Sequence, residues 1–239
     1  MDKKRVAICF YGQTRVEDVI NLWYKNIEND YDFFISTWDD EHSKKLNFNF
    51  TDFDFLDSEK EEYLQTIIPS NAYDSKTKEL IDISKNVRVL FVTKHITNVL
   101  SLVKNHQDKN NFKYDTIVFI RPDYVVDLKI LKSKINNFLE ISDIKKPIIS
   151  TQSPLINHNS LITINEDMVY IINNKSISKF LNLMNDLFIE RKDIKIKFPY
   201  RGPHELIPFL ITYNNIFTYS SEMSGNIIRN NSEVKKWIK

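Results

Sequence analysis

The sequence predicts an α/β fold in which helices cover a mostly parallel sheet. Short apolar runs of strand length recur along the 239 residues, and between them apolar residues return at the spacing of one helix face. The runs are continuous rather than alternating, T-I-V-F-I at residues 116–120 being the purest, as expected of strands buried on both faces. Several of them end in Gly, Trp or charge, and open α/β sheets bind ligands at the carboxyl ends of their strands.

The elements follow in order. Residues 6–10 (V-A-I-C-F) read as a strand, and Val16, Val19, Ile20, Trp23 and Ile27 then mark one face of a helix. Residues 31–37 (Y-D-F-F-I-S-T) form a second buried strand ending at Trp38, Asp39 and Asp40. A polar and aromatic loop follows, and Ser58 with Glu61 supplies a capping box for a helix over 59–68, which Pro69 stops. Residues 87–92 (V-R-V-L-F-V) read as a third strand, before a helix whose apolar face is Ile96, Val99, Leu100 and Val103. The strand 116–120 is next; Pro122 then ends ladder pairing and is expected to hold Arg121 and Asp123 extended. A helix over 128–140, a strand at 147–151, a polar segment at 152–160 and a strand at 169–172 continue the pattern. Ile177, Phe180, Leu181, Met184 and Phe188 give another helix face. Beyond Lys192 the chain is irregular, with a short helix from about Glu205, a strand at 216–219 and a Lys-rich tail. No internal repeat or linker divides it, so one domain is expected over 1–239.

Composition narrows the function. Thirty-three basic and 32 acidic residues nearly cancel, and no basic stripe is concentrated on one segment, which argues against nucleic-acid binding. Cys9, the single cysteine, lies in an apolar strand, so neither a disulfide framework nor a thiolate zinc site is expected and a reducing compartment fits. No apolar run approaches membrane-spanning length, and the N-terminus leads into a strand without a signal-peptide core, so the expectation is a soluble, cytoplasmic protein.

Candidate chemistry gathers at the predicted strand ends. Gly12 in F-Y-G-Q-T-R permits a tight turn or a close ligand approach, and Arg15 stands near a helix N-terminus that welcomes phosphate; equally, the pair reads as a turn glycine and a solvated arginine. Trp38 is a face for a base or sugar, or a residue packed under the following loop, with Asp39 and Asp40 as acceptors for hydroxyls. Arg121 and Asp123 are placed to meet an anion and a cation, and a carboxylate is a hard ligand suited to Mg²⁺ or Mn²⁺; the plainer reading has the two bonding each other at the surface. His204 and Glu205 follow Gly202-Pro203 at a helix start, where His204 can complete a metal shell and Glu205 can serve as a base, or simply favour the helix terminus. Glu166 and Asp167 carry the same ambiguity, since turn chemistry also explains them.

In this order, V-A-I-C-F-Y-G-Q-T-R, Y-D-F-F-I-S-T-W-D, Y-D-T-I-V-F-I-R-P-D and G-P-H-E-L-I-P-F-L resemble a family of small GT-A-type glycosyltransferases that includes WavE-like lipopolysaccharide-synthesis proteins and related bacterial and viral sequences. The resemblance runs from Arg5 to Asn215. It implies a GT-A-like three-layer αβα sandwich with a Rossmann-like half at 1–127 for the nucleotide sugar and an acceptor-side half at 128–239. Carried over, Gly12 and Arg15 match a first-loop G-x-x-R, and Tyr11, Gln13, Thr37, Trp38 and Asp39 join them around the donor. Asp123 matches the last carboxylate of a metal-binding D-x-D, and Glu205 an acidic residue of the late helix that can serve the acceptor side; Arg121 stands where the first carboxylate usually is and can bond a phosphate or ribose oxygen instead.

The expected activity is transfer of a sugar from a UDP- or GDP-sugar to a glycan or other hydroxyl acceptor, assisted by Mn²⁺ or Mg²⁺, as in polysaccharide biosynthesis. Glu205 or Asp167 would take the acceptor proton if the reaction inverts. Two alternatives remain at this point: a nucleotidyltransferase of similar fold, and a non-catalytic nucleotide- or sugar-binding domain. Cytoplasm is the expected location, the host's for a viral member.

Overall fold

The structure, a computed structural model, describes residues 4–57, 83–151, 156–158, 161–163, 168–182, 216–220, 223, 225–230 and 232–234. Its centre is a seven-stranded sheet built from β1 (Val6–Tyr11), β2 (Asp32–Trp38), β3 (Asp52–Leu56), β4 (Thr116–Ile120), β6 (Ile148–Thr151), β9 (Val169–Asn173) and β10 (Phe217–Ser220). Two smaller pairs stand beside it: β5 (Tyr124–Val126) with β11 (Gly225–Ile227), and the hairpin of β7 (Ile156–His158) and β8 (Leu161–Thr163), both antiparallel.

The sheet order is β10-β6-β9-β4-β1-β2-β3. Strands β3, β2, β1 and β4 are parallel neighbours, and β10 is parallel to β6. Only β9 runs against its neighbours, β4 and β6. The run β3-β2-β1-β4 is the Rossmann-like order: the chain builds outward from β1 through β2 to β3, then returns to place β4 on the other side. The strand order therefore reverses between β1 and β4, and it is at the carboxyl edge of such a reversal that open α/β sheets bind ligands.

Helices cover both faces, as the alternation predicts, and the result is a three-layer αβα sandwich. One face receives Ile96, Val99, Leu100 and Val103 of α1 (Ile83–Asn110), together with Ile177 and Phe180 of α3 (Ile177–Leu181), against Ala7, Cys9, Phe34, Ile117, Phe119 and Ile172. The other receives Val19, Ile20, Tyr24 and Ile27 from a short stretch of π- and 3-10-helical turns (Val19–Trp23 and Tyr24–Ile27), with Leu131, Ile135 and Phe138 of α2 (Leu128–Ile141). Asp127 starts α2 by accepting from the Lys129 and Ile130 amides, satisfying donors that the first helical turn leaves free. Both faces of β1 and β4 are thus buried, as their continuous apolar runs require.

Two expectations need correction. Residues 87–92 are not a strand but part of α1; Val92 stands four residues before Ile96, in frame with the helix face, and a short β-branched run lacks the period that would separate the two states. The third parallel strand is instead β3, whose alternating D-F-D-F-L lies at the sheet edge within the stretch read as loop. The expected helices at 59–68 and from Glu205 lie outside the described residues. So does the continuation of α3's face through Met184 and Phe188.

Candidate functional site

The loop after β1 is shaped by one glycine and two threonines. Gly12 has φ +98°, a conformation that L side chains rarely adopt, and nothing lies within 4 Å of where a Cβ would stand. Its amide donates to the Ser36 carbonyl at 3.1 Å. Thr14 is fully buried; its amide donates to Thr37 Oγ1 at 3.1 Å and the two hydroxyls lie 3.0 Å apart. The loop is therefore tied to the end of β2 on both sides of Gln13, and Arg15 leaves it half-exposed, its Nε donating to Gln13 Oε1 at 3.3 Å. Thr14 escaped the sequence reading, although a threonine in each of the two strand-end segments was the available signal.

The segment after β4 is a turn, not an extended pair of flanks. The Tyr124 amide donates to the Arg121 carbonyl at 3.1 Å, and Pro122 takes the second turn position that its fixed φ suits. This bends Arg121 and Asp123 toward each other. Arg121 Nε donates to Asp123 Oδ1 at 3.0 Å and Nη2 to Oδ2 at 2.7 Å, a bidentate fork. The pairing weighed in the sequence is present, but it is not at the surface: the Asp123 side chain is 1% exposed and that of Arg121 is 23% exposed. From across the β1/β4 boundary, Arg15 Nη1 comes to 3.7 Å from Asp123 Oδ2.

The chain holds this turn from three directions. Tyr24 Oη donates to the Tyr124 carbonyl at 2.8 Å and Trp23 Nε1 to the Val126 carbonyl at 3.0 Å, so the segment after β1 anchors β5. Burial pushes the Tyr24 hydroxyl pKa well up, keeping it a neutral donor. The Ile228 amide donates to the Asp123 carbonyl at 2.8 Å, and the Arg121 amide to the Met168 carbonyl at 3.1 Å. Gly225 lets β11 approach: a Cβ there would lie 2.3 Å from the Val125 carbonyl oxygen and 2.5 Å from the Tyr124 ring.

This geometry bears on the expected cation. A divalent ion of the Mg²⁺ or Mn²⁺ type needs an accessible carboxylate oxygen and leaves the rest of its shell to water and phosphate. Asp123 is buried, both its oxygens accept from Arg121, and a second guanidinium stands beside one of them. An arriving cation would meet two positive groups around a carboxylate already satisfied, so the residues as arranged do not fit a metal at Asp123. Among the described residues no group of three or more His, Cys, Asp or Glu side chains is placed to hold one.

At the end of β2, Thr37 is buried and positions the first loop through Thr14. Trp38 meets Phe91 and His95 of α1 edge to face, with centroids at 5.1 and 4.8 Å, so its ring packs on the helix layer. Asp39 is exposed and pairs with Lys44 at 3.5 Å, while Asp40 caps the next turn by accepting from the His42 and Ser43 amides. Tyr11 is buried against Phe119. Two interactions went unread in the sequence. His42 Nδ1 lies 2.9 Å from Glu17 Oε2, and buried His95 bonds Ser36 Oγ through Nδ1 at 3.0 Å while Nε2 has no hydrogen-bond partner among the described residues. Desolvation lowers the His95 pKa to about 3, with the Lys94 charge adding to the effect. Thus Gly12, Arg15, Arg121 and Asp123 converge, whereas Trp38 and Asp39 stand one strand further out on β2. Glu166, Asp167, His204 and Glu205 lie outside the described residues.

The site so defined lies at the carboxyl edge of a Rossmann-like αβα sheet and carries two arginines and a buried carboxylate. No family model matches the chain, and no curated protein matches it in sequence. Among solved structures, it is similar to the glycosyltransferase GlyE of Streptococcus pneumoniae in its apo form, at 11% identity and a TM-score of 0.42 over 91% of this chain and 45% of that one. It is also similar to a Bacillus anthracis protein described as a glucose-1-phosphate thymidylyltransferase, in complex with sucrose, at 11% identity and a TM-score of 0.46 over 98% and 93% of the two chains. The chain thus spans less than half the length of GlyE.

Proposed function

We propose that this chain is a glycosyltransferase that moves a sugar from a nucleotide-diphosphate donor to a hydroxyl acceptor. The observation that carries the proposal is the meeting of Arg15 and Asp123 across the β1/β4 boundary, beside Gly12. Open α/β sheets bind ligands at the carboxyl edge where their strand order reverses. The open, positive-φ turn at Gly12 lets a ligand approach backbone closely, and the guanidiniums of Arg15 and Arg121 present planar donor forks that match phosphate oxygens.

In this reading the diphosphate lies over the arginines with the nucleoside toward Gly12 and Gln13. As the sugar leaves, negative charge collects on the departing diphosphate, and fixed donors aimed at that charge lower the barrier. Arg121 is preorganised for this by its fork on Asp123, and the Thr14–Thr37 bonds hold the loop that carries Arg15. Glu205 or Asp167 is proposed as the acceptor-side base of an inverting transfer.

Product analysis tests the proposal. UDP- and GDP-sugars are incubated with the chain, with and without a mixture of oligosaccharide acceptors, and the products are separated by mass spectrometry. Release of nucleoside diphosphate with sugar on acceptor or water is expected. Formation of pyrophosphate from a nucleoside triphosphate and a sugar 1-phosphate, with nucleotide sugars left intact, would make the chain a nucleotidyltransferase instead.

A further inference from the structure

We infer that His95, on helix α1, is a positioning residue for the Gly12 turn, acting through Ser36 so that the seating of the helix is passed to the loop at the ligand site. The inference goes beyond the donor reading above by naming what holds this loop from the helix side, and it rests on that reading for the identity of the ligand.

Ser36 is the residue through which the contact passes. It lies in β2 in register with Tyr11 of β1, one position before the Thr37 that holds Thr14. Successive side chains of a strand point to opposite faces, so the two hydroxyls serve different layers. Thr37 meets Thr14 in the first loop, whereas Ser36 meets α1, its Oγ lying 3.0 Å from His95 Nδ1. The carbonyl of the same Ser36 accepts from the Gly12 amide at 3.1 Å. His95 of α1, Ser36 of β2 and Gly12 after β1 are thus joined in one short chain. Gly12, at φ +98°, has no side chain to fix its conformation, so the shape of the turn depends on bonds such as this one.

Packing alone does not account for an imidazole at this place. His95 is 1% exposed and its Nε2 has no hydrogen-bond partner among the described residues, a cost that an apolar side chain would not carry. What the imidazole supplies in return is the Nδ1 bond to Ser36. The ring is also held: Trp38 meets it edge to face at 4.8 Å, and Asn98, three residues further along α1, donates to Asp54 Oδ2 at 2.7 Å. Asp54 is the β3 residue in register with Ser36, so polar bonds fasten the helix to two adjacent strands at one level. Buried as it is, His95 does not itself meet a ligand, and its influence on the site runs through Ser36 and Gly12.

Amide hydrogen exchange on the full chain, with calorimetric titration of UDP and GDP, tests this. His95→Asn keeps a polar atom as many bonds from the backbone as Nδ1, His95→Gln moves it out to the place of Nε2, and His95→Leu removes it. Exchange at the Gly12 amide is expected to be roughly two- to tenfold faster in His95→Leu and His95→Gln, the worth of one hydrogen bond, and close to native in His95→Asn. The Phe119 amide of the central strand β4 is the control for general opening. Ser36→Ala removes the same bond from its other end while leaving the carbonyl that Gly12 uses, so it should speed Gly12 exchange equally, and combining it with His95→Leu should add nothing further. Affinity for the nucleoside diphosphate should fall in the same order across the variants. Native-like Gly12 exchange in Ser36→Ala, equal effects of Asn and Gln at position 95, or faster Gly12 exchange at unchanged nucleotide affinity would each overturn the inference and leave the donor reading standing. If neither nucleotide binds the native chain while Gly12 exchange follows the expected order, the donor reading falls and the link from α1 to Gly12 stands.

Discussion

Arg15 reaches to 3.7 Å from the carboxylate of Asp123, although the two are carried by loops after β1 and β4 and lie 108 residues apart in sequence (123 − 15). A half-exposed arginine turned toward an almost fully buried aspartate defines which side of the sheet is chemically prepared. The opposite edge of the same strands is held by Arg5, whose amide donates to Asp115 at 2.7 Å and whose guanidinium lies 4.0 Å from the Phe112 centroid.

Asp123→Asn keeps the shape of the side chain but removes half of the charge-assisted fork. Urea denaturation should show a loss of about 1.5 to 3 kcal/mol, the usual worth of hydrogen bonds to charged groups. A midpoint equal to that of the unmodified chain would mean that the Arg121 fork is not made in solution.

Gly12→Ala and Gly225→Ala separate two uses of glycine. At Gly12 the new methyl has room, so the cost is conformational alone, about 1 to 3 kcal/mol. At Gly225 the methyl collides with the Val125 carbonyl and the Tyr124 ring, so β11 must move off β5. Hydrogen exchange at the Ile228 amide should then accelerate in Gly225→Ala and stay slow in Gly12→Ala. Equal protection in both variants would contradict this account of the C-terminal strand.

His95 sets a stability window. Its pKa falls from an ordinary value near 6.5 to about 3 in the fold, so below pH 6.5 the unfolded chain binds a proton that the folded chain refuses. The contribution is complete above pH 6.5 and is lost steadily as the pH falls toward 3. At pH 5 the loss is about 2 kcal/mol, from roughly 1.4 kcal/mol per pH unit. Denaturation midpoints measured between pH 7 and pH 4.5 should fall in the native chain and flatten in His95→Gln. Parallel slopes for the two would remove His95 as the cause.

Thr37→Val deletes the hydroxyl that accepts from the buried Thr14 amide, leaving an unsatisfied donor that costs about 1 to 3 kcal/mol. Because this bond holds the loop before Arg15, nucleotide diphosphate affinity should fall along with stability. Stability lost at unchanged affinity would confine Thr37 to a structural role.

How much of this was legible in the sequence depended on the distance over which each interaction acts. The strand 116–120 was readable because burial on both faces leaves no charged residue in it, and the face Ile96, Val99, Leu100 and Val103 because four helical positions agree. β3 was missed because an edge strand need not be continuously apolar, and its D-F-D-F-L sits among the aromatics of a loop-like stretch. Residues 87–92 misled because β-branched residues suit either state until the neighbouring turn fixes the phase. Arg121 and Asp123 were visible as neighbours, yet the turn that joins them and the burial that follows depend on Met168, Ile228 and Gly225, each far along the chain. No local pattern carries contacts of that range.

The most direct test of the central claim is a structure of the chain with UDP or GDP bound. The diphosphate is predicted at the β1/β4 boundary, with oxygens about 2.7–3.2 Å from the Arg15 and Arg121 guanidiniums and the nucleoside beside Gly12. A nucleotide bound at the opposite edge of the sheet, near Arg5 and Asp115, or at the carboxyl edge but away from both arginines, would contradict it.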